Sequence, residues 1–220
     1  MERIIIAALL TIFVCCSTAS PDEHIVSGSD AGQCEFPHMA YLTIKMRGSE
    51  TFCGASLLSD KWVLTAAHCL FTFYSVQDVA VLELTKRAPL RGCISPITLP
   101  NKGDTYYSTC TAVGWGQTGT NGIFPDQLQK AKINVIPTSK CQEQASGITA
   151  KQHICVGDNK FKGKNVCGGD SGGGLICRRK SDNAYVVAGI ASYVFDCDKG
   201  FGVYANVANF LDYIKGYMSL

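Results

Sequence analysis

Gly168-Gly169-Asp170-Ser171-Gly172-Gly173-Gly174 is the stretch on which the reading of this chain turns. Five glycines around one serine are neither strand nor helix composition. Glycine permits positive φ and lets another backbone approach closely. Such a loop can aim N–H groups into a pocket and present a hydroxyl. Acyl transfer needs both: a nucleophile, and donors for the oxygen that becomes negative. A flexible Gly/Ser loop has the same composition, so a second element must separate the two readings.

That element is Leu64-Thr65-Ala66-Ala67-His68-Cys69. A histidine among small residues and beside a cysteine is held in place. Alone it reads as a core histidine; joined to the serine loop it becomes a candidate general base. His24, His38 and His153 form no cluster with it.

The chain has 220 residues, 46% apolar and 17% charged, which allows one large domain or two small ones with a packed core. A net charge of +2, with no basic run interleaved with aromatics, excludes nucleic acid as the expected partner. Residues 1–20 read as a secretory signal: Arg3, an apolar run from Ile4 to Val14, then Ser17, Thr18, Ala19 and Ser20. That run is shorter than the roughly 20 residues a bilayer span requires, so no membrane association is expected after its removal. Residues 21–24 read as a short stub and residues 25–220 as the folded domain. The chain has 12 cysteines. Cys15 and Cys16 fall in the leader, and the even remainder of a secreted chain reads as disulfides. No C-x-x-C pair occurs among those remaining, so no zinc site is expected.

Short β-type runs recur at Met39–Ile44, Trp62–Thr65, Val79–Leu84, Cys110–Val113, Ala131–Ile136, Leu175–Cys177, Tyr185–Ala191 and Gly202–Ala205. Turn formers separate them, which predicts an antiparallel all-β domain, barrel or sandwich. One amphipathic helix is expected at the C-terminus, where Val207, Phe210, Leu211, Ile214 and Met218 repeat at three or four residues.

Thr65-Ala66-Ala67-His68-Cys69 and Gly169-Asp170-Ser171-Gly172-Gly173 together resemble the histidine and serine motifs of the chymotrypsin-like serine peptidases. Asp78-Val79-Ala80-Val81-Leu82 resembles the aspartate motif, and Ile25-Val26-Ser27-Gly28 the mature N-terminus, with Phe36-Pro37 following at the usual distance. Gly114-Trp115-Gly116 and Gly202-Val203-Tyr204 also match, and the order His, Asp, Ser is that family's. The resemblance runs from Ile25 to about Tyr217.

The resemblance implies two antiparallel β-barrels with a C-terminal α-helix. It implies Ser171 as nucleophile, His68 as its base, and Asp78 as the group that orients His68. The N–H groups of Gly169 and Ser171 would form the oxyanion hole. Asp170 would pair with the ammonium of Ile25 once residues 21–24 are removed as a short propeptide, so the secreted form would be a zymogen. The disulfides carried over are Cys53–Cys69, Cys110–Cys177, Cys141–Cys155 and Cys167–Cys197, which leaves Cys34 and Cys93 for each other. The implied partners are protein or peptide substrates and protein inhibitors. No cofactor or metal is implied, and the expected form is an extracellular monomer.

The chain departs from the family at several points. His68 and Asp78 are only ten positions apart, where the family places several tens of residues, including strands of the first barrel. Reach is not the obstacle, because ten residues extend up to roughly 33 Å. Closure is: a barrel missing about two strands leaves unpaired edges. The first barrel is therefore expected to be shortened, with Phe71, Phe73, Tyr74 and Val76 covering part of the gap. His24 precedes Ile25 where Arg or Lys is usual, and Gly174 replaces a usual proline. Asn165 and Val166 fall at the pocket base, Ser192-Tyr193-Val194 on one wall and Gly202 on the other. The base carries no carboxylate and Val194 replaces a glycine, so small or medium uncharged side chains are expected. The alternative is a catalytically impaired homologue that binds proteins through the same surface; the kept serine motif argues against it, the shortened barrel for it.

Overall fold

A computed structural model describes residues 28–46, 49–71, 77–157 and 165–219. The expected signal, propeptide and Ile25 lie outside these residues, as do Phe73, Tyr74 and Val76. The strands are β1 (Ser29–Asp30), β2 (Met39–Met46), β3 (Ser49–Leu57), β4 (Trp62–Thr65), β5 (Ala80–Glu83), β6 (Thr109–Gly114), β7 (Gln129–Ile136), β8 (His153–Gly157), β9 (Gly174–Arg178), β10 (Tyr185–Val194) and β11 (Gly202–Asn206). Two short α-helices follow from Thr138–Gln142 (α1) and Leu211–Met218 (α2).

The fold is all-β, as the spacing of apolar runs predicts. Six strands in the order β7-β6-β9-β10-β11-β8 close into a barrel, because β7 also pairs with β8 through Asn134↔Gly157, Val135↔Val156 and Ile136↔Cys155. Along β7 the burial alternates, with Gln129, Ala131 and Ile133 inside and Lys132 and Asn134 outside, the period a half-buried strand requires.

The other half is the shortened barrel. It is a four-stranded antiparallel sheet in the order β2-β3-β4-β5, and among the described residues no pairing joins β2 to β5. Its core is nonetheless covered. Leu42, Ile44, Val63, Leu64 and Val79 share one buried cluster with Val207, Phe210 and Ile214. Those last three come from the short 3-10 turn Val207–Asn209 and from α2 and its approach. The C-terminal helix thus caps the apolar face of the reduced sheet, and each such fully buried side chain contributes about 1.5–3 kcal/mol.

All five expected disulfides are present: Cys34–Cys93, Cys53–Cys69, Cys110–Cys177, Cys141–Cys155 and Cys167–Cys197. Cys53–Cys69 ties β3 to the 3-10 turn Ala67–Cys69, which carries His68.

His38, just before β2, is 6% exposed, and its Nε2 has no hydrogen-bond partner among the described residues. Burial pushes its imidazole down to about 4. The unfolded chain binds that proton near 6.5, so the stability present above pH 6.5 is lost as pH falls to about 4. The loss is about 3 kcal/mol. In His38→Phe this acid sensitivity is expected to disappear, read as a urea midpoint at pH 5 that moves toward the midpoint at pH 7. An unchanged difference between the two pH values would exclude His38 as its source.

Candidate functional site

The site forms where the edge of the reduced sheet meets the closed barrel. The 3-10 turn after β4 presents the imidazole of His68, which is 15% exposed. Asp78 meets it twice: Oδ2 lies 2.7 Å from His68 Nδ1, and Oδ1 accepts the His68 backbone N–H at 2.8 Å. The Asp78 side chain is only 5% exposed. A third donor, the Ser192 hydroxyl, also reaches Oδ2, at 2.5 Å. Burial raises the Asp78 carboxyl, but hydrogen bonds from the His68 side chain, Ser192 and the His68 backbone outweigh it. The net effect holds Asp78 below the usual carboxylate range. The ten-residue connection therefore brings His68 and Asp78 together despite the missing strands.

Ser192 was expected in the pocket wall. Its hydroxyl donates to Asp78 at a point where the register of β10 against β11 shifts between Ala191 and Tyr193. Such a bulge re-aims one side chain. No local sequence signal marks this role, since Ser192 and Asp78 are 114 positions apart.

The glycine loop is pinned from two directions. Gly54 of β3 donates its N–H to the Ser171 carbonyl at 2.8 Å, and Gly172 donates to the Ala191 carbonyl at 2.9 Å. Gly172, at φ +77°, presses against Thr65 Oγ1 and the Gly54 carbonyl, so no side chain fits there. Thr65 itself donates to that Gly54 carbonyl at 2.8 Å. Ser171 is thus fixed to the strand that bears Cys53 and, through it, to the turn of His68. The N–H groups of Gly169 and Ser171 donate to no acceptor among the described residues.

Asp170 is 2% exposed. Its carboxylate accepts the N–H groups of Gly116 at 2.9 Å and Cys167 at 3.0 Å. A Cβ at Gly114 or Gly116 would collide with that carboxylate, which explains both glycines flanking Trp115. Burial pushes the Asp170 carboxyl up to about 6 against the pull of these two donors. No cation reaches it among the described residues, and the expected partner Ile25 lies outside them.

Of the expected pocket residues, Asn165, Val166 and Gly202 lie together, between β11 and the segment before Ser171. Asn165 is 1% exposed; its Nδ2 donates to the Asp196 carbonyl at 3.1 Å and its Oδ1 accepts the Val166 N–H at 2.9 Å. Gly202 lies against Asn165 Oδ1 and Val166 Cγ2 and has room for no side chain. Tyr193 packs edge-on to Phe195, and Phe195 packs on Phe201 at 4.7 Å between ring centroids. Val194 packs against the barrel core.

Cys53, Cys69 and His68 bring ligand-type atoms within 4.8 Å of one another, but the two sulfurs are bonded to each other and are not thiolate donors. The described residues contain no helix long and apolar enough to cross a membrane.

The family model described as Trypsin matches residues 25–76 and 72–214, two pieces that meet in the connection between His68 and Asp78. Trypsin I-P1 of Gallus gallus is 29% identical, over 96% of this chain and 98% of its own length. Its alignment of 253 positions is longer than this whole chain of 220, so this chain lacks residues that the chicken protein has. Granzyme C of Mus musculus is 30% identical, over 89% of this chain and 92% of its own. Transmembrane protease serine 7 of Rattus norvegicus is 32% identical over 92% of this chain, which corresponds to 29% of that protein. By its motifs, its barrel and these matches, the chain belongs to the trypsin family of chymotrypsin-like serine peptidases.

Proposed function

We propose that this chain is a secreted serine endopeptidase, made as a zymogen and working as an extracellular monomer on protein or peptide substrates. Ser171 attacks the scissile carbonyl and forms an acyl-enzyme. His68 takes the serine proton and returns it to the leaving amine. Asp78 keeps the His68 proton on Nδ1, so that Nε2 can accept the proton of Ser171, and stabilises the imidazolium. The N–H groups of Gly169 and Ser171, without an acceptor among the described residues, receive the negative oxygen. Protein inhibitors that mimic a substrate loop would occupy the same cleft. One observation carries the reading: a buried carboxylate spans both the backbone and ring N–H of His68, the arrangement a base needs to be held in one tautomer.

Fluorophosphonate labelling of protein trimmed to Ile25, read by peptide mass spectrometry, tests it. A stoichiometric adduct on Ser171, absent in His68→Ala, is the expected result. Folded protein that takes no label would replace this reading with that of a protein-binding homologue.

Specificity follows from the pocket floor. Asn165 is neutral and spends its oxygen on Val166 and one amide hydrogen on Asp196. Among the described residues no carboxylate is offered to a basic side chain there, and Val194, where the family has glycine, would narrow the mouth. Peptides with Ala, Val, Leu or Met before the cut are expected to exceed their Lys and Arg counterparts in kcat/KM by at least about tenfold, the scale of a missing buried contact. A panel of chromogenic peptides checks this, and a dominant Lys or Arg preference refutes it.

A further inference from the structure

Oxyanion stabilisation depends on one peptide unit, Gly168–Gly169, facing the right way. Gly169 sits at φ +94°, a conformation that glycine reaches freely and leaves as freely. Something must hold it there, because the donor is worth most when it is preorganised.

The loop between β6 and β7 supplies a hold on one side. Gln117 donates its backbone N–H to the Gly168 carbonyl at 2.8 Å. The carbonyl and the N–H of one peptide unit point in opposite directions, so this bond aims the Gly169 N–H away from Gln117. Flipping the unit would break it. The same loop, closed by Thr118 N–H on the Ile123 carbonyl at 3.2 Å, also carries Phe124.

Two rings supply the other hold. A Cβ at Gly169 would stand 2.8 Å from Phe124 Cε1 and 2.9 Å from Phe52 Cζ, so both rings rest against the Gly169 Cα. Phe52 is itself braced: it stacks on Tyr41 at 5.0 Å and 14°, and Phe124 meets it edge-on at 5.2 Å. Trp115 closes the set against Tyr41 at 5.5 Å. Phe124 nevertheless leaves half its surface in solvent, 51%, which is not how a residue recruited only for core burial is placed.

We propose that Phe52 and Phe124, together with the Gln117 N–H, are positioning residues that hold the Gly168–Gly169 peptide with its N–H turned into the oxyanion site. The proposal rests on Ser171 being the nucleophile. The rings touch no reacting atom; they act through Gly169.

The test uses protein trimmed to Ile25 and peptidyl p-nitroanilides, whose leaving group carries no residue beyond the cut. A loss on such substrates cannot come from lost contacts with amino-acid residues beyond the cut. For Phe124→Ala, kcat is expected to fall about ten- to a hundredfold with KM within about twofold, a fraction of the 10²–10³ that a deleted donor costs. Phe124→Tyr, which keeps the ring on Gly169, is expected to restore kcat to within about threefold. Phe52→Ala should behave alike, and Phe124→Ala stands as the decisive variant because a half-exposed loop residue leaves the fold intact. Binding of a peptidyl boronate, which needs the oxyanion donors, should weaken in parallel with kcat. An unchanged kcat overturns the proposal, and so does a fall that Phe124→Tyr does not rescue. If the unmutated trimmed protein takes no fluorophosphonate on Ser171, the peptidase reading itself fails and this inference falls with it. Label on Ser171 with kcat unmoved by the ring variants sinks the positioning role alone.

Discussion

Exchanging Asp78 for Asn is expected to lower kcat/KM about ten-thousandfold while leaving the melting temperature close to that of the parent. The carboxylate accepts from the His68 N–H, the His68 ring and the Ser192 hydroxyl. An amide of the same shape has one oxygen and one NH₂ group. Whichever way it sits, one present donor meets another donor. If the NH₂ faces His68, Nδ1 must accept and Nε2 must carry the proton, and that ring cannot take the proton of Ser171. Packing is kept, so the loss is in protonation and not in fold. The experiment is steady-state kinetics on active-site-titrated protein, with Ser171→Ala as the floor. A loss below about tenfold would mean that Asp78 is not the working partner of His68, and that the missing strands have shifted it. Because its hydrogen bonds hold Asp78 below the usual carboxylate range, the parent should keep this contribution until the pH falls well under that range.

The residues proposed to carry chemistry could be nominated from sequence because they lie in local motifs. Gly169, Gly172 and Gly173 must be small for reasons visible once folded: Gly169 meets Phe124 and Phe52, Gly172 meets Thr65 and Gly54, and Gly173 meets the Asp170 carbonyl. Such crowding leaves its mark in composition. Five strands of the closed barrel, β6, β7, β9, β10 and β11, were legible too, from alternation and turn formers. β3 was not, because its outer half, Ser49 to Thr51, is polar and its inner half is buried without alternation. β8 escaped because His153 opens it, and a lone buried histidine resembles nothing in strand patterning. Ser192 could not have been assigned to Asp78, since the two lie 114 positions apart and meet only through the fold. The same holds for Phe52 and Phe124, which meet over Gly169 only after two sheets and a loop converge. The shortening of the first barrel was legible from the distance between His68 and Asp78. What no pattern disclosed is that α2 would cover the sheet that remains.

Removing the residues before Ile25 is expected to raise stability by about 3 kcal/mol at neutral pH, and with it to establish activity. The cause is Asp170. In the described residues it is a buried carboxylate with two N–H donors and no cation, and burial moves its carboxyl from 3.8 to about 6. A group whose proton is held more tightly in the folded state stabilises the fold where it is protonated. The uncut chain is therefore most stable, with respect to this group, below pH 3.8, and loses that stability as pH rises through about 6. The shift corresponds to about 3 kcal/mol, or about 6–12 °C in melting temperature for a chain of this size. The freed ammonium of Ile25 would remove the penalty by pairing with the carboxylate, as an opposite charge within reach lowers the carboxyl again. Melting curves of uncut and trimmed protein should then coincide near pH 4, separate between pH 4 and 6, and stay apart to pH 7. Taking the difference between the two forms cancels His38, whose effect has the opposite sign over that range and is common to both. Asp170→Asn, which removes the charge, should close the gap and leave the trimmed protein inactive, because the loop bearing Gly169 and Ser171 loses its anchor. Forms that melt together from pH 4 to pH 7 would show that Ile25 does not reach Asp170, and that activation of this chain, preceded as it is by His24, takes another route.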